Sequence, residues 1–552
     1  MTHPAGGHAR IQGVSFLHLP AVRTTGHPPL AGRARYVAAA FSGILAAGTA
    51  IAVGHSVAVV VAPAASPLLA VGSTFIDLTP EWLKSFAIGT FGSNDKIALL
   101  GGIVTVLALA AIGIGLLAIR RPRFAIGAIG ALGVGGAIAA FLRPGGSLIS
   151  MAPSLVGAIV GMAVLVVLER EAAGQGDGAA GDARDGSGDD ATEAGTRVSR
   201  RRFLTAGTAV GVLIAASGGL GVLIAGRNAS SAAAAGGPAI PLPLEPLAAV
   251  PTGADLAIEG VSSFITPNDA FYRVDTALQI PAIAPDDWRL RIHGMVDREV
   301  TLTLDELLAY PTIERDITLT CVSNQVGGEY AGNARWIGIP LATVLEAAGV
   351  QTAADQIVSR SIDGMSIGTP TAVALDGRDA MLAVAMNGER LPAVHGYPVR
   401  LIVPGLYGYV SATKWLVELE LTTFDAYDPY WVQRGWSKEG PIKTMSRIDA
   451  PKPLARIPAG RTAIAGVAWA QHRGVGRVEV RVDGGAWAET RLAEVDTIDT
   501  WCQWVYEWDA PSGNHTLEVR ATDATGQTQP ESRAEPFPNG ATGWHSVVVT
   551  VT

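Results

Sequence analysis

The chain has 552 residues, 49% of them hydrophobic and only 16% charged, and its mean hydropathy of +0.31 is too high for a protein that is soluble throughout, so part of it belongs in lipid. A formal net charge of −8 without a long basic run excludes nucleic acid as a partner. Two cysteines, Cys321 and Cys502, exclude a disulfide framework, a CxxCH haem attachment and a cysteine-held iron–sulfur cluster.

Residues 1–35 read as a cytoplasmic tail carrying Arg10, Arg23, Arg33 and Arg35. Crossing roughly 30 Å of hydrocarbon takes about 20 apolar residues. Stretches near 36–62, 97–119, 124–142 and 151–168 approach that length, which predicts a four-helix transmembrane region over 36–168. The third and fourth are short and glycine-rich, so a re-entrant pair stays open. Arg120, Arg121 and Arg123 separate the second and third, whereas the first loop carries Asp77, Glu81 and Asp95 against Lys84 and Lys96. Positive charge favours the cytoplasm and places that loop outside. Among these spans only His55 offers an imidazole, and a haem held between helices needs two axial ligands, so no haem relay is expected.

Residues 169–198 are rich in Gly, Ala and Asp and predict a disordered cytoplasmic linker. They lead into Ser199-Arg200-Arg201-Arg202-Phe203-Leu204 and a fifth apolar stretch. The segment 199–226 resembles a twin-arginine export signal placed inside the chain, followed by a fifth transmembrane helix; an ordinary basic flank is the plainer alternative. The remainder of the chain then lies outside the membrane, beginning with the proline-rich linker 227–250.

From 251 the pattern turns mixed α/β. WRLRIHGMV alternates as a strand, and Thr303 precedes Asp305-Glu306 as a helix cap. Cys321 ends a β-rich run and enters a glycine-containing loop, where a scaffold presents reactive groups. A cysteine taken alone is more often a packed apolar residue than a ligand. Its surroundings weigh the other way. LTCVSNQVGGEYAGNARWIGIPL and MNGERLPAVHGYPVRLIVPGLYGYVSATKWLVELEL resemble the two signature segments of the sulfite oxidase family of molybdopterin enzymes, in the expected order, within a wider likeness from about 250 onward.

That resemblance implies an α+β molybdopterin-binding catalytic domain over 251–426 and a molybdenum centre with one pterin. Cys321 would be the metal ligand, since a thiolate supplies the soft anionic donor such a metal needs. His395, Arg400 and the turn Ala412-Thr413-Lys414 would hold the pterin and its phosphate, with Asn333 and Arg335 lining the same pocket. Arg273, after Phe271-Tyr272, would bind an anionic substrate, although the following proline comes one residue late. Trp436 stands where the family has a pocket tyrosine. Gly405 and Gly408 would let backbone approach the ligand.

Residues 427–552 alternate strongly, with Asp483-Gly484 as a hairpin turn, and predict an immunoglobulin-like β-sandwich. The resemblance makes it a dimerisation domain, with Cys502 a packed core residue. The expected protein is a multi-pass membrane oxidoreductase with catalytic domains on the extracytoplasmic side and no haem or iron–sulfur cluster in this chain. It would transfer an oxygen atom with two electrons between sulfite or a related small anion and a separate electron acceptor, as a homodimer. The alternatives are sulfoxide reduction at the same centre and an inactive membrane interaction subunit.

Overall fold

The computed structural model describes residues 32–61, 65–80, 95–143, 146–172, 204–212, 214–216, 238–277, 280–281, 283–495 and 497–552. It divides into two compact units: residues 1–57, 103–135 and 153–219, and residues 58–102, 136–152 and 220–552. The 1–31 tail, residues 173–198 of the linker, the twin-arginine residues 199–203 and the first part of the 227–250 linker, 227–237, lie outside the described residues.

Four helices, Arg33–Val61, Asp95–Ala118, Pro122–Phe141 and Ala152–Ala172, contain stretches long and apolar enough to cross a membrane. The third and fourth apolar stretches are continuous helices of 20 and 21 residues, about 30 Å each at 1.5 Å per residue, rather than re-entrant halves. The last helix runs past the expected 168 to Ala172, so the predicted linker begins four residues later. Within the first unit the helices approach through their small residues. A Cβ on Gly43 would meet the Ala111 carbonyl, and one on Gly115 the Ala39 carbonyl, the close backbone contact that glycine permits. Of the fifth stretch, residues 204–212 and 214–216 are helical, and the remainder lies outside the described residues. One element was not expected: Pro67–Leu78 is a 12-residue helix, only about 18 Å long, in what reads as a polar outside loop. Pro67 at its first turn pre-sets the helical φ.

The second unit holds two β-rich regions. The first contains β1 (Arg289–Gly294), β2 (Val300–Thr303), β3 (Ile313–Thr320), β4 (Ala331–Pro340), β5 (Gln356–Ser361), β6 (Ser366–Pro370), β7 (Met381–Met386), β8 (Glu389–Arg390), β9 (Arg400–Ile402) and β10 (Leu416–Thr422). They form one sheet in the order β2-β1-β10-β5-β6 and another in the order β3-β4-β7-β8, with β9 on β7. The helix Leu304–Leu308 starts at a capping box, with Thr303 and Glu306 bonding each other's backbone. Trp288, Leu290, Ile292, Leu341, Val344 and Leu419 lie in the core shared by these elements.

The second region contains β11 (Met445–Ala450), β12 (Arg456–Ile457), β13 (Gly460–Trp469), β14 (Val475–Val482), β15 (Ala488–Glu489), β16 (Arg491–Leu492), β17 (Cys502–Ala510), β18 (Gly513–Asp523) and β19 (His545–Val551). A four-stranded sheet, β11-β13-β17-β16, and a five-stranded one, β12-β19-β18-β14-β15, share a core that includes Ile464, Val480, Trp504 and Val549. Asp483 and Gly484 both take positive φ at the end of β14, as a two-residue hairpin turn demands. Cys502 is buried in β17, and burial pushes its thiol up to about 11.

Candidate active site

β3 and β4 pair antiparallel with Thr318 opposite Asn333 and Asp316 opposite Arg335. Side chains alternate between faces, so Ile317, Leu319, Ala334 and Trp336 share one face and gather with Phe271 in a buried cluster. Phe271 stacks on Tyr272 at 5.3 Å and meets the edges of Trp336 at 5.8 Å and His395 at 5.6 Å. Cys321 follows β3 at the start of the loop to β4. Its N–H donates to the Tyr330 carbonyl (2.9 Å) and its carbonyl accepts from Asn324 N–H (3.1 Å), while Asn324 Oδ1 accepts from Tyr330 N–H (2.9 Å). The loop is thereby closed on itself and the thiol fixed. Burial raises the Cys321 thiol above its ordinary range, against hydrogen bonds from Ser323 and the charge of Lys414.

Two phenols sense the same thiol. Burial raises Tyr272, with Cys321 adding to the effect and Arg400 opposing it. Burial likewise pushes Tyr407 up to about 12, with Cys321 adding. Both therefore stay protonated at neutral pH and can donate.

Three cations surround His395. Arg400, the first residue of β9, is 5% exposed. It donates to the His395 carbonyl at 3.2 Å, lies over the Trp336 ring at 5.2 Å, and is pushed down to about 10 by burial. Its buried Nε has no hydrogen-bond partner among the described residues. Lys414 donates to Asp275 Oδ2 at 2.7 Å and to the Val274 carbonyl at 3.2 Å; burial pushes it down to about 8, against the pull of Asp275. Arg273 grips the same carboxylate through Nε (2.7 Å) and a terminal nitrogen (3.3 Å). His395 Nε2 lies 2.8 Å from the Asn268 carbonyl, which makes it the protonated nitrogen of the neutral ring. Burial, then Arg400, Lys414 and Arg273, push His395 down to about 4. It is neutral at pH 7.

The structure thus brings Cys321, His395, Arg400, Lys414 and Arg273 together. It does not bring Asn333 and Arg335 to them. Asn333 lies on the other face of β4, accepting from Thr318 Oγ1 (3.0 Å) and donating to the Phe264 carbonyl (3.0 Å). Arg335, on that same face, forks onto Asp316 at 2.8 and 2.7 Å. Thr413 is buried with its hydroxyl 2.6 Å from that of Ser359, and Ala412 caps the short helix Gly408–Ser411. Gly405 takes a positive φ, and a Cβ there would meet Arg378 and His472, so protein rather than ligand occupies that space. Sequence reading missed Tyr272, Asp275 and Tyr407. A buried aromatic beside a predicted anion-binding arginine was the available signal for the first.

One carboxylate, Asp275, serves two cations while a third is buried with an unpartnered Nε. This excess of positive charge, beside a thiol and two donating phenols, fits an anionic ligand with several acceptors, as a pterin phosphate is.

Residues 277–431 match the family model described as oxidoreductase molybdopterin binding domain. The chain is 29% identical over 343 residues to mitochondrial sulfite oxidase of Homo sapiens, covering 52% of this chain and 62% of that one. It is 27% identical over 352 residues to sulfite oxidase of Arabidopsis thaliana, covering 52% and 89%. Among solved structures it is similar to the sulfane dehydrogenase SoxCD from Paracoccus pantotrophus, with a TM-score of 0.46, 24% identity, and 54% and 85% of the two chains covered. The chain therefore spans less than two thirds of the human protein; residues 277–431 carry a molybdopterin-binding oxidoreductase domain, and over that span and beyond it the chain is similar to the sulfite oxidase family of molybdopterin oxidoreductases.

Proposed function

We propose that this protein is an oxidoreductase that oxidises sulfite or a related small sulfur oxyanion by two-electron oxygen-atom transfer at a molybdenum–pterin centre, on the outer side of a membrane. The observation that carries this reading is the cluster of Arg273, Lys414 and Arg400, balanced by Asp275, around neutral His395 and beside Cys321. Bound there, the molybdenum–pterin group would supply the redox couple and the exchangeable oxygen. Cys321 would bind the metal as thiolate; a coordinated metal stabilises the deprotonated form and reverses the effect of burial. Arg400 and Lys414 would hold the phosphate, and His395, as a neutral donor–acceptor, the ring edge. Arg273, with its side chain 34% exposed, would meet the substrate anion at the mouth, where its pairing with a carboxylate shared by Lys414 leaves net positive charge.

The four apolar helices support a membrane anchor, and the arginine distribution supports a cytoplasmic 175–195 linker with both β-rich regions outside. We assign Arg200-Arg201 to a twin-arginine signal, the C-terminal sheets to an immunoglobulin-like sandwich with a dimer contact, and electron transfer to a separate acceptor. A second reading, sulfoxide reduction, rests on the departure at Trp436, which stands where the resemblance implies a pocket tyrosine and is buried among Tyr409, Trp431 and Phe537.

Metal analysis combined with steady-state kinetics tests the proposal. Sulfite with a one-electron acceptor should turn over, and methionine sulfoxide with a reduced dye should not. Arg273→Gln should raise KM for the anion roughly tenfold, the loss of one charge-assisted bond, with kcat nearly unchanged. Sulfoxide reduction without sulfite oxidation would reverse the direction assigned.

A further inference from the structure

The loop that carries Cys321 is tied down from beyond its own sheet. Between Cys321 and Tyr330 the chain doubles back through Gly327, with φ of +80°, and Gly328. Two buried side chains of the C-terminal region meet this bend. Arg447 in β11 donates to the Gly328 carbonyl at 2.8 Å and is itself fixed by Asp449 at 2.6 Å and the Ser262 hydroxyl at 2.8 Å. Asp449 in turn accepts from Ser262 N–H at 3.0 Å. His545, the first residue of β19, accepts the Ile448 N–H on Nδ1 at 2.9 Å. The rest of its ring lies so close to Gly327 that a Cβ there would collide with it.

A buried ion pair contributes little net stability, because desolvation offsets its attraction. What it supplies here is direction, since the guanidinium fork is aimed at one carbonyl of the bend. We infer that Arg447 and His545 are positioning residues that clamp the Cys321 loop, so that the C-terminal sheets set where the thiol points. The catalytic meaning of this clamp rests on the proposed ligand role of Cys321. The clamp itself does not.

The test uses the full chain in detergent, made in a host unable to synthesise the pterin, and follows alkylation of Cys321 and Cys502 by iodoacetamide with mass spectrometry. Arg447→Met combined with Asp449→Asn removes both charges together, so neither is left buried and unpaired. His545→Ala is the independent second variant should the first fail to fold. Freeing the loop by one charged hydrogen bond should speed Cys321 alkylation by roughly tenfold, with Cys502, in the core of the C-terminal sheets, unchanged. In pterin-loaded protein the thiolate-to-metal absorption band should shift in the same variants. An unchanged Cys321 rate would overturn the inference, and so would a parallel rise at both cysteines, which would mean that the sheets had simply opened. Absence of molybdenum from the wild-type protein would sink the metal assignment and leave the clamp to stand on the alkylation result alone.

Discussion

Arg400 should behave as a cation that the fold tolerates rather than needs. Its burial depresses the guanidinium well below its ordinary value, to about 10, which at about 1.4 kcal/mol per pH unit is a penalty of about 3–4 kcal/mol on the charged form. Because the folded value lies below the unfolded one, that penalty is complete at any pH under about 10 and is relieved only as the pH climbs from there toward the ordinary guanidinium value. Opposing it are contact with the Trp336 ring, about 1–2 kcal/mol, and one charge-assisted bond to the His395 carbonyl, about 1.5–3 kcal/mol. The two sides nearly cancel. Arg400→Met in the cofactor-free chain should therefore change unfolding free energy at pH 7 by no more than about 1 kcal/mol, whereas breaking a paired buried charge costs about 3–5 kcal/mol. The same substitution should strip the pterin, since loss of one charge-assisted bond of about 1.5–3 kcal/mol lowers retention roughly 10- to 150-fold. Urea unfolding followed by tryptophan fluorescence, beside pterin content of the loaded protein, measures both. A stability loss of about 3 kcal/mol or more, or undiminished pterin, would refute the reasoning.

Other substitutions separate chemistry from scaffold. Cys321→Ser should abolish turnover while leaving much of the pterin bound, because the cations around His395 remain. Cys502→Ser should keep activity and cost about 1–3 kcal/mol for burying a hydroxyl, seen as a lower melting temperature. Asp523 accepts hydrogen bonds from Thr525, Arg473, Gln527 and Thr444, which overcome burial and hold it at about 2. The roughly 2 kcal/mol this contributes is complete above the ordinary carboxylate value and is lost as pH falls from about 4 through 2; Asp523→Asn should flatten that part of the stability profile in urea titrations. Reporters fused after Thr552 and within 175–195 should be active outside and inside respectively, and Arg200→Lys with Arg201→Lys should block export of the folded domain.

The hydrophobic spacing made the long helices legible, because a run of about 20 apolar residues has few other destinations. Period-two alternation did the same for β14 and β18. The candidate site was readable as a set of residue types and only partly as a place. Asn333 and Arg335 sit two residues apart in a signature segment, but linear spacing does not say which face of β4 they share. Asn333 stands opposite Thr318 and Arg335 opposite Asp316, and Asp316 claims the guanidinium; the intervening Ala334 and the next residue, Trp336, face the site. Asp275 was invisible for a different reason. A carboxylate beside an arginine reads as a local ion pair, and only the fold brings Lys414, 139 residues later, onto the same oxygen.

That shared oxygen bears on how the site can bind an anion at all. Were Arg273 and Lys414 each matched by its own carboxylate, an incoming anion would have to displace two partners and would gain little, since exposed and half-exposed ion pairs exchange at nearly equal free energy. With one carboxylate between them, and Arg400 buried with no partner for Nε among the described residues, the fold keeps uncompensated positive charge where few waters can screen it. His395 sharpens this. Held neutral by burial and by those same cations, it adds hydrogen-bonding capacity without a fourth charge, so the site avoids the repulsion that an imidazolium would bring. The apolar face of Phe271, Leu319, Ala334 and Trp336 bears the cost of this arrangement, which places much of the stabilising burial beneath the groups that destabilise the ligand-free fold.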